Sequence, residues 1–138
     1  MQLELLNFKR HLIRNGYTLT INILLTMNDF QEIINELIKF RNERDWKQFH
    51  DTKNLAIALS IEAAELNELF LWKGIDESEK VDKSKIKEEL ADIFAYAFLL
   101  AEKLDLNVKD IVLEKIKRNG EKYPVSKSKG TAKKYNEL

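Results

Sequence analysis

The stretch Leu55-Ala56-Ile57-Ala58-Leu59-Ser60-Ile61-Glu62-Ala63-Ala64-Glu65-Leu66-Asn67-Glu68-Leu69 decides the fold. Leu55, Leu59, Glu62, Leu66 and Leu69 follow steps of four, three, four and three, the spacing of one helical face. Glu62 therefore interrupts an apolar stripe, with Glu65 one turn on and Glu68 one turn beyond. A second stretch repeats the pattern: Ile86, Glu89, Ile93, Tyr96 and Leu100 share a face, and Asp92 lies one turn past Glu89. Two amphipathic helices, each with carboxylates set into the inner stripe, are the frame of an all-α protein.

Outward from these stretches the chain keeps helical spacing. Phe30, Ile33, Ile34, Leu37, Ile38 and Phe40 predict a first helix over about Asp29 to Lys47. Asp51-Thr52 is a cap signal for a second helix, over about Lys53 to Trp72, with Gly74 placed to end it. A charged, mobile link from Asp76 to Lys85 is expected next. Ser84 is the expected N-cap of a third helix, over about Lys85 to Leu104. Asn107 caps a fourth helix carrying Val108, Ile111, Val112 and Ile116 and ending near Asn119-Gly120. The tail from Glu121 is expected to be extended and partly disordered. These elements suggest an N-terminal extension over 1–26, a helical domain over 27–124 and a basic tail over 125–138. Tyr17 to Thr26 is strand-like in composition. The first 26 residues read either as an extension upstream of a start at Met27 or as an arm that docks on a partner subunit.

Composition excludes several classes. In 138 residues, 23 basic side chains balance 23 acidic ones, so no basic excess announces a nucleic-acid polymer. There is no cysteine, hence no disulfide, thiolate zinc site or cysteine nucleophile, which fits a cytoplasmic protein. No apolar run reaches the roughly 18–20 residues that span a bilayer. The basic and apolar N-terminal pattern lacks a small-residue cleavage site, so secretion is not expected. One proline among 138 residues favours long helices.

Carboxylates three residues apart on a helix project to the same side. If the second and third helices pack antiparallel, Glu62, Glu65, Glu89 and Asp92 converge. Such a cluster is costly alone, because burial and like charge both oppose ionisation. A divalent cation removes both costs, and an all-oxygen set favours magnesium, manganese or calcium over zinc. Di-iron bundles bring Glu-x-x-His elements, and neither histidine here stands in one. The bland alternative for each motif is a solvated helix face.

Glu62-Ala-Ala-Glu65 followed by Glu89-Leu-Ala-Asp92 resembles the signature of the MazG-like nucleotide pyrophosphohydrolases. Arg44-Asp45-Trp46-Lys47-Gln48-Phe49-His50, Glu65 to Lys73 and Lys115 to Pro124 resemble the dCTP pyrophosphatase branch of that family. The resemblance covers about Met27 to Leu138. Ile61 stands where the fuller family pattern has a Glu, which also fits this branch and leaves the ion count open. The resemblance implies a four-helix MazG-like bundle completed by oligomerisation, as a homodimer or homotetramer with sites near the subunit boundary. It implies a magnesium-dependent enzyme, with manganese a possible substitute, that hydrolyses a nucleoside triphosphate to monophosphate and diphosphate. By resemblance Glu62, Glu65, Glu89 and Asp92 are metal ligands and catalytic residues. Trp46, His50 and Trp72 look like nucleotide-pocket residues. Lys115, Asn119 and Tyr123 look like phosphate- and sugar-side contacts.

Each assignment has a plainer counterpart. Lys115, Arg118, Asn119 and Lys122 suit a phosphate clamp, but basic residues also favour helix C-termini through the dipole. Trp46, Phe49 and Trp72 suit the walls of a base pocket, but aromatics at helix ends are often ordinary packing. Glu68 is read as supporting the metal site and Glu88 as a surface charge. The competing reading of the whole chain is a non-enzymatic helical interaction module.

Overall fold

The computed structural model describes residues 29–138. The strand-like segment and the expectations for residues 1–26 lie outside them. Among the described residues there is no strand. The elements are α1 (Asp29–Glu43), a 3-10 turn (Trp46–Phe49), α2 (Thr52–Glu68), α3 (Ile75–Ser78), α4 (Lys83–Lys103), α5 (Val108–Lys122), α6 (Val125–Ser128) and a second 3-10 turn (Tyr135–Glu137). The four longer helices are those the apolar periodicity predicts. The chain divides into two compact units after Gln48.

In the first unit α1 stops at Glu43, short of the expected Lys47. Asp45 takes a left-handed backbone, φ 54°, and its N–H bonds the Asn42 carbonyl at 3.0 Å. Asp is one of the few side chains that tolerates this conformation at a helix end. The guanidinium of Arg44 lies 3.6 Å from the centre of the Phe40 ring, and Trp46 meets the same ring edge-on at 5.9 Å.

In the second unit the dominant packing is α2 against α4. Asp51 starts α2, its Oδ1 accepting the Asn54 N–H at 2.8 Å. Asp82, not Ser84, caps α4: Ser84 donates both its N–H (2.9 Å) and its hydroxyl (2.8 Å) to Asp82 Oδ1. These bonds hold the Asp82 carboxyl below its ordinary range, the backbone bond contributing most. At the far end of α4, Asp105 is left-handed, φ 53°. The N–H groups of Asp105 and Leu106 bond the carbonyls of Glu102 and Ala101 there. The expected mobile link carries the one-turn helix α3, closed when Glu77 reaches back to the Gly74 N–H at 2.9 Å.

Among the described residues the buried apolar set is small: Leu55 in the first turn of α2, and Phe98, Leu99 and Ala101 near the end of α4. On α5, by contrast, Ile111, Val112, Leu113 and Ile116 are all exposed. The helix also runs through Gly120 to Lys122 instead of stopping at it.

Candidate metal centre and its surroundings

Glu62 and Glu65 project from α2, and Glu89 and Asp92 from α4. The electrostatic pairings run in opposite directions along the two helices. Glu62 feels Asp92 and is felt by Tyr96, whereas Glu68, further along α2, is felt by Glu89, earlier in α4. The hairpin is therefore antiparallel, the arrangement the motif spacing requires for convergence.

One oxygen from each of Glu62, Glu89 and Asp92 lies within 4.8 Å of the other two. Glu62 and Glu89 are half-buried and Asp92 is exposed. Glu65, the fourth carboxylate expected to converge, is exposed and stands outside this trio, yet its charge acts on both Glu62 and Glu89. Burial first, and then the charges of Glu65, Asp92 and Glu89, push the Glu62 carboxyl above its ordinary range. Burial first, and then Glu65, Asp92, Glu88 and Glu68, do the same to Glu89. Glu88 and Glu68 are thus part of the local field.

Three convergent carboxylates, two of which, Glu62 and Glu89, resist ionisation, are suited to a hard cation. Magnesium sits about 2.1 Å and calcium about 2.3–2.6 Å from oxygen ligands, so oxygens opposed across an ion stand about 4–5 Å apart. The three oxygens lie no further apart than that span allows. It contains no histidine, so the donors suit magnesium, manganese or calcium and not a nitrogen- or sulfur-seeking metal.

Tyr96 belongs to this site, although the spacing marks it only as a member of the apolar stripe. Its phenol is half-buried and held above its ordinary range by burial and by Glu62 and Asp92. The signal was present: Tyr96 lies one turn past Asp92, so the stripe that carries the carboxylates carries a hydroxyl as well.

The other predicted residues fall into three places. Trp46 packs on Phe40 in the first unit, and it remains 44% exposed. His50 is half-buried just before the α2 cap. Trp72 lies beyond the end of α2, which stops at Glu68 and not at Trp72. The left-handed position there is taken by Trp72 itself, φ 63°, while the expected cap Gly74 has φ −71°. A bulky residue rarely adopts this backbone, and the indole is 93% exposed. Lys115, Asn119 and Tyr123 recur every four residues on α5 and its C-cap, where the Tyr123 N–H bonds the Asn119 carbonyl at 2.8 Å. Arg118 pairs with Glu114 one turn back, so its charge is engaged within the helix. Extensive packing does not link α5 to the hairpin.

Comparison with known proteins bears on this geometry. The model of the MazG-like family matches residues 57–138. The dCTP pyrophosphatase 1 of Rattus norvegicus is 36% identical over 118 residues, which cover 82% of this chain and 68% of that protein. The Bos taurus and Homo sapiens proteins of the same name are 38% and 35% identical over the same coverage. A crystal structure of a pyrophosphatase from Archaeoglobus fulgidus is 38% identical with a TM-score of 0.66, covering 68% of this chain and 91% of that one.

Proposed function

The chain belongs to the MazG-like family and is a nucleoside triphosphate pyrophosphohydrolase; from that premise we propose that it converts a dCTP-like deoxynucleotide to its monophosphate and diphosphate, using magnesium held by Glu62, Glu89 and Asp92. The observation that carries this reading is the convergence of those three carboxylates across an antiparallel helix pair. Family membership sets aside the reading as a non-enzymatic interaction module.

A bound divalent cation would neutralise phosphate oxygens and make a water more acidic. The protein's own part is to hold the charge and move a proton. Water oxygen forms a bond to the α-phosphorus, the bond from that phosphorus to the bridging oxygen breaks, and diphosphate leaves with the bond electrons. The water proton passes to a carboxylate. Glu65 lies beside the trio and outside it, so we assign it as fourth ligand or as proton acceptor. Its Gln variant separates the two: a weaker magnesium requirement identifies a ligand, and a lower kcat at saturating magnesium identifies the acceptor.

Trp72 offers an exposed aromatic face for the base, with His50 as a further pocket contact. Lys115, Asn119 and Tyr123 are assigned to phosphates and sugar. Manganese should replace magnesium. We further infer a homodimer or homotetramer, since α5 leaves an apolar face open, and a role in clearing the cytoplasmic nucleotide pool.

The test is a panel of ribo- and deoxynucleoside triphosphates with magnesium or with EDTA, products resolved by ion exchange. Monophosphate and diphosphate should form only with metal. Glu62→Gln and Asp92→Asn should each lower kcat by about 100-fold or more with the fold retained. Full activity in both variants would remove the assigned site, and release of single phosphate would change the bond that is cut.

A further inference from the structure

Residues 125–138 hold four lysines, Lys127, Lys129, Lys133 and Lys134, against one acid, Glu137. They do not trail away as composition suggests. Ser128 donates its hydroxyl to the Tyr123 carbonyl at 3.1 Å and to that of Pro124 at 2.9 Å. Gly130 turns the chain through a left-handed conformation, φ 77°, that glycine adopts without strain. Tyr135 then returns to the end of α5, meeting the Tyr123 ring edge-on at 6.1 Å, with the Lys122 ammonium 5.1 Å from its own ring centre. The Glu137 carboxylate accepts the Lys134 N–H at 3.2 Å and closes the last turn.

This return puts cations where the α5 contacts end. Lys134 and Lys133 are one and two residues from Tyr135, within about 7 Å of chain. Among the described residues neither has a carboxylate at ion-pair distance. With Lys122, which meets the Tyr135 ring, they leave the returned segment with a cationic excess that a polyphosphate would offset. The family model also matches through to the last residue, so this segment belongs to the domain and is not an appendage.

We propose that the C-terminal tail is a strap that adds Lys133 and Lys134 to the polyphosphate-binding end of α5, with Tyr135 as the positioning residue that pins it to Tyr123. The proposal rests on the reading of Lys115, Asn119 and Tyr123 as phosphate- and sugar-side contacts. Lysines at the γ-phosphate, remote from the α–β bond that breaks, contact it alike before and during reaction, so they act on substrate binding more than on the chemical step.

The test uses the full chain. Wild type, Lys133→Gln/Lys134→Gln, Tyr135→Ala and Tyr135→Phe are compared for kcat and KM with dCTP, and for inhibition by inorganic diphosphate and by dCMP. The double lysine variant and Tyr135→Ala should raise KM and weaken diphosphate inhibition by roughly five- to tenfold, with kcat and dCMP inhibition little changed. Tyr135→Phe, which keeps the ring contacts, should behave as wild type. The lysine variant removes no packing and carries the test if Tyr135→Ala disturbs the fold. KM and diphosphate inhibition within about twofold of wild type in the lysine variant would overturn the strap while leaving the enzyme reading intact. If wild type itself turns over no nucleotide, the enzyme reading fails instead. Calorimetric titration with diphosphate and magnesium then decides the strap, equal affinity in both proteins overturning it and clearly weaker binding in the variant supporting it.

Discussion

Glu62 shows how one side chain is set against stability. Burial and three neighbouring carboxylates hold its proton on more tightly than the unfolded chain does. The folded state therefore binds more protons just above the ordinary carboxylate range, and stability falls as pH rises through the raised values. In EDTA the thermal midpoint of wild type should drop over that interval. Glu62→Gln should flatten part of the drop and melt higher at neutral pH, even as its kcat falls. Added magnesium should flatten the wild-type curve too, and a parallel decline in both proteins, metal or not, would sink this account. Trp72 makes the same trade through its backbone. A left-handed conformation costs a non-glycine residue about 1–2 kcal/mol, partly offset by the greater unfolded-state freedom of glycine. Because the indole is almost fully exposed, Trp72→Gly should lose no packing. Its midpoint should hold or rise by about 1–3 °C, while KM for the nucleotide rises about 5- to 100-fold through lost stacking. A clear loss of stability would show that the indole packs in the working assembly.

At the scale of the element, helix starts were more legible in the sequence than helix ends, although Asp82 and not Ser84 opens α4 and only α4 ends where expected. Asp51 and Asn107 cap α2 and α5 as their side chains announce, each accepting an N–H three residues on. Ends depend on which residue bends into the left-handed region, and here Asp45, Trp72 and Asp105 do so while Gly74 and Gly120 do not. The glycine signals were thus read as stops where tertiary context made other residues turn. Gly120 is helical, and a Cβ added there would meet nothing within 4 Å. Gly120→Ala should therefore stabilise by about 0.5–1 kcal/mol, or about 2–4 °C, without loss of activity. Retained stability with lost activity would mean that a partner or substrate approaches the backbone at this point.

For the whole molecule, four buried apolar residues are a meagre core for the described chain, and α5 presents Ile111, Val112, Leu113 and Ile116 to solvent. An apolar face of this kind marks an interaction surface. Wild type should scatter light as a dimer or tetramer at micromolar concentration. Ile116→Asp should shift it toward smaller species and lower its melting temperature, since a charge would be buried unpaired at the interface. A wild-type monomer would leave the open face unexplained and count against the oligomer.

The sequence by itself determined the helical class, the positions of the long helices and the four candidate carboxylates, because periodicity and spacing are local properties. Only the tertiary structure decided which of those carboxylates meet. It drew Glu62, Glu89 and Asp92 together, left Glu65 beside them and brought in Tyr96. It also folded a lysine-rich tail back onto Tyr123. Those outcomes turn on how two helices pack and where a chain reverses, which depend on contacts between residues far apart in sequence that no local pattern encodes.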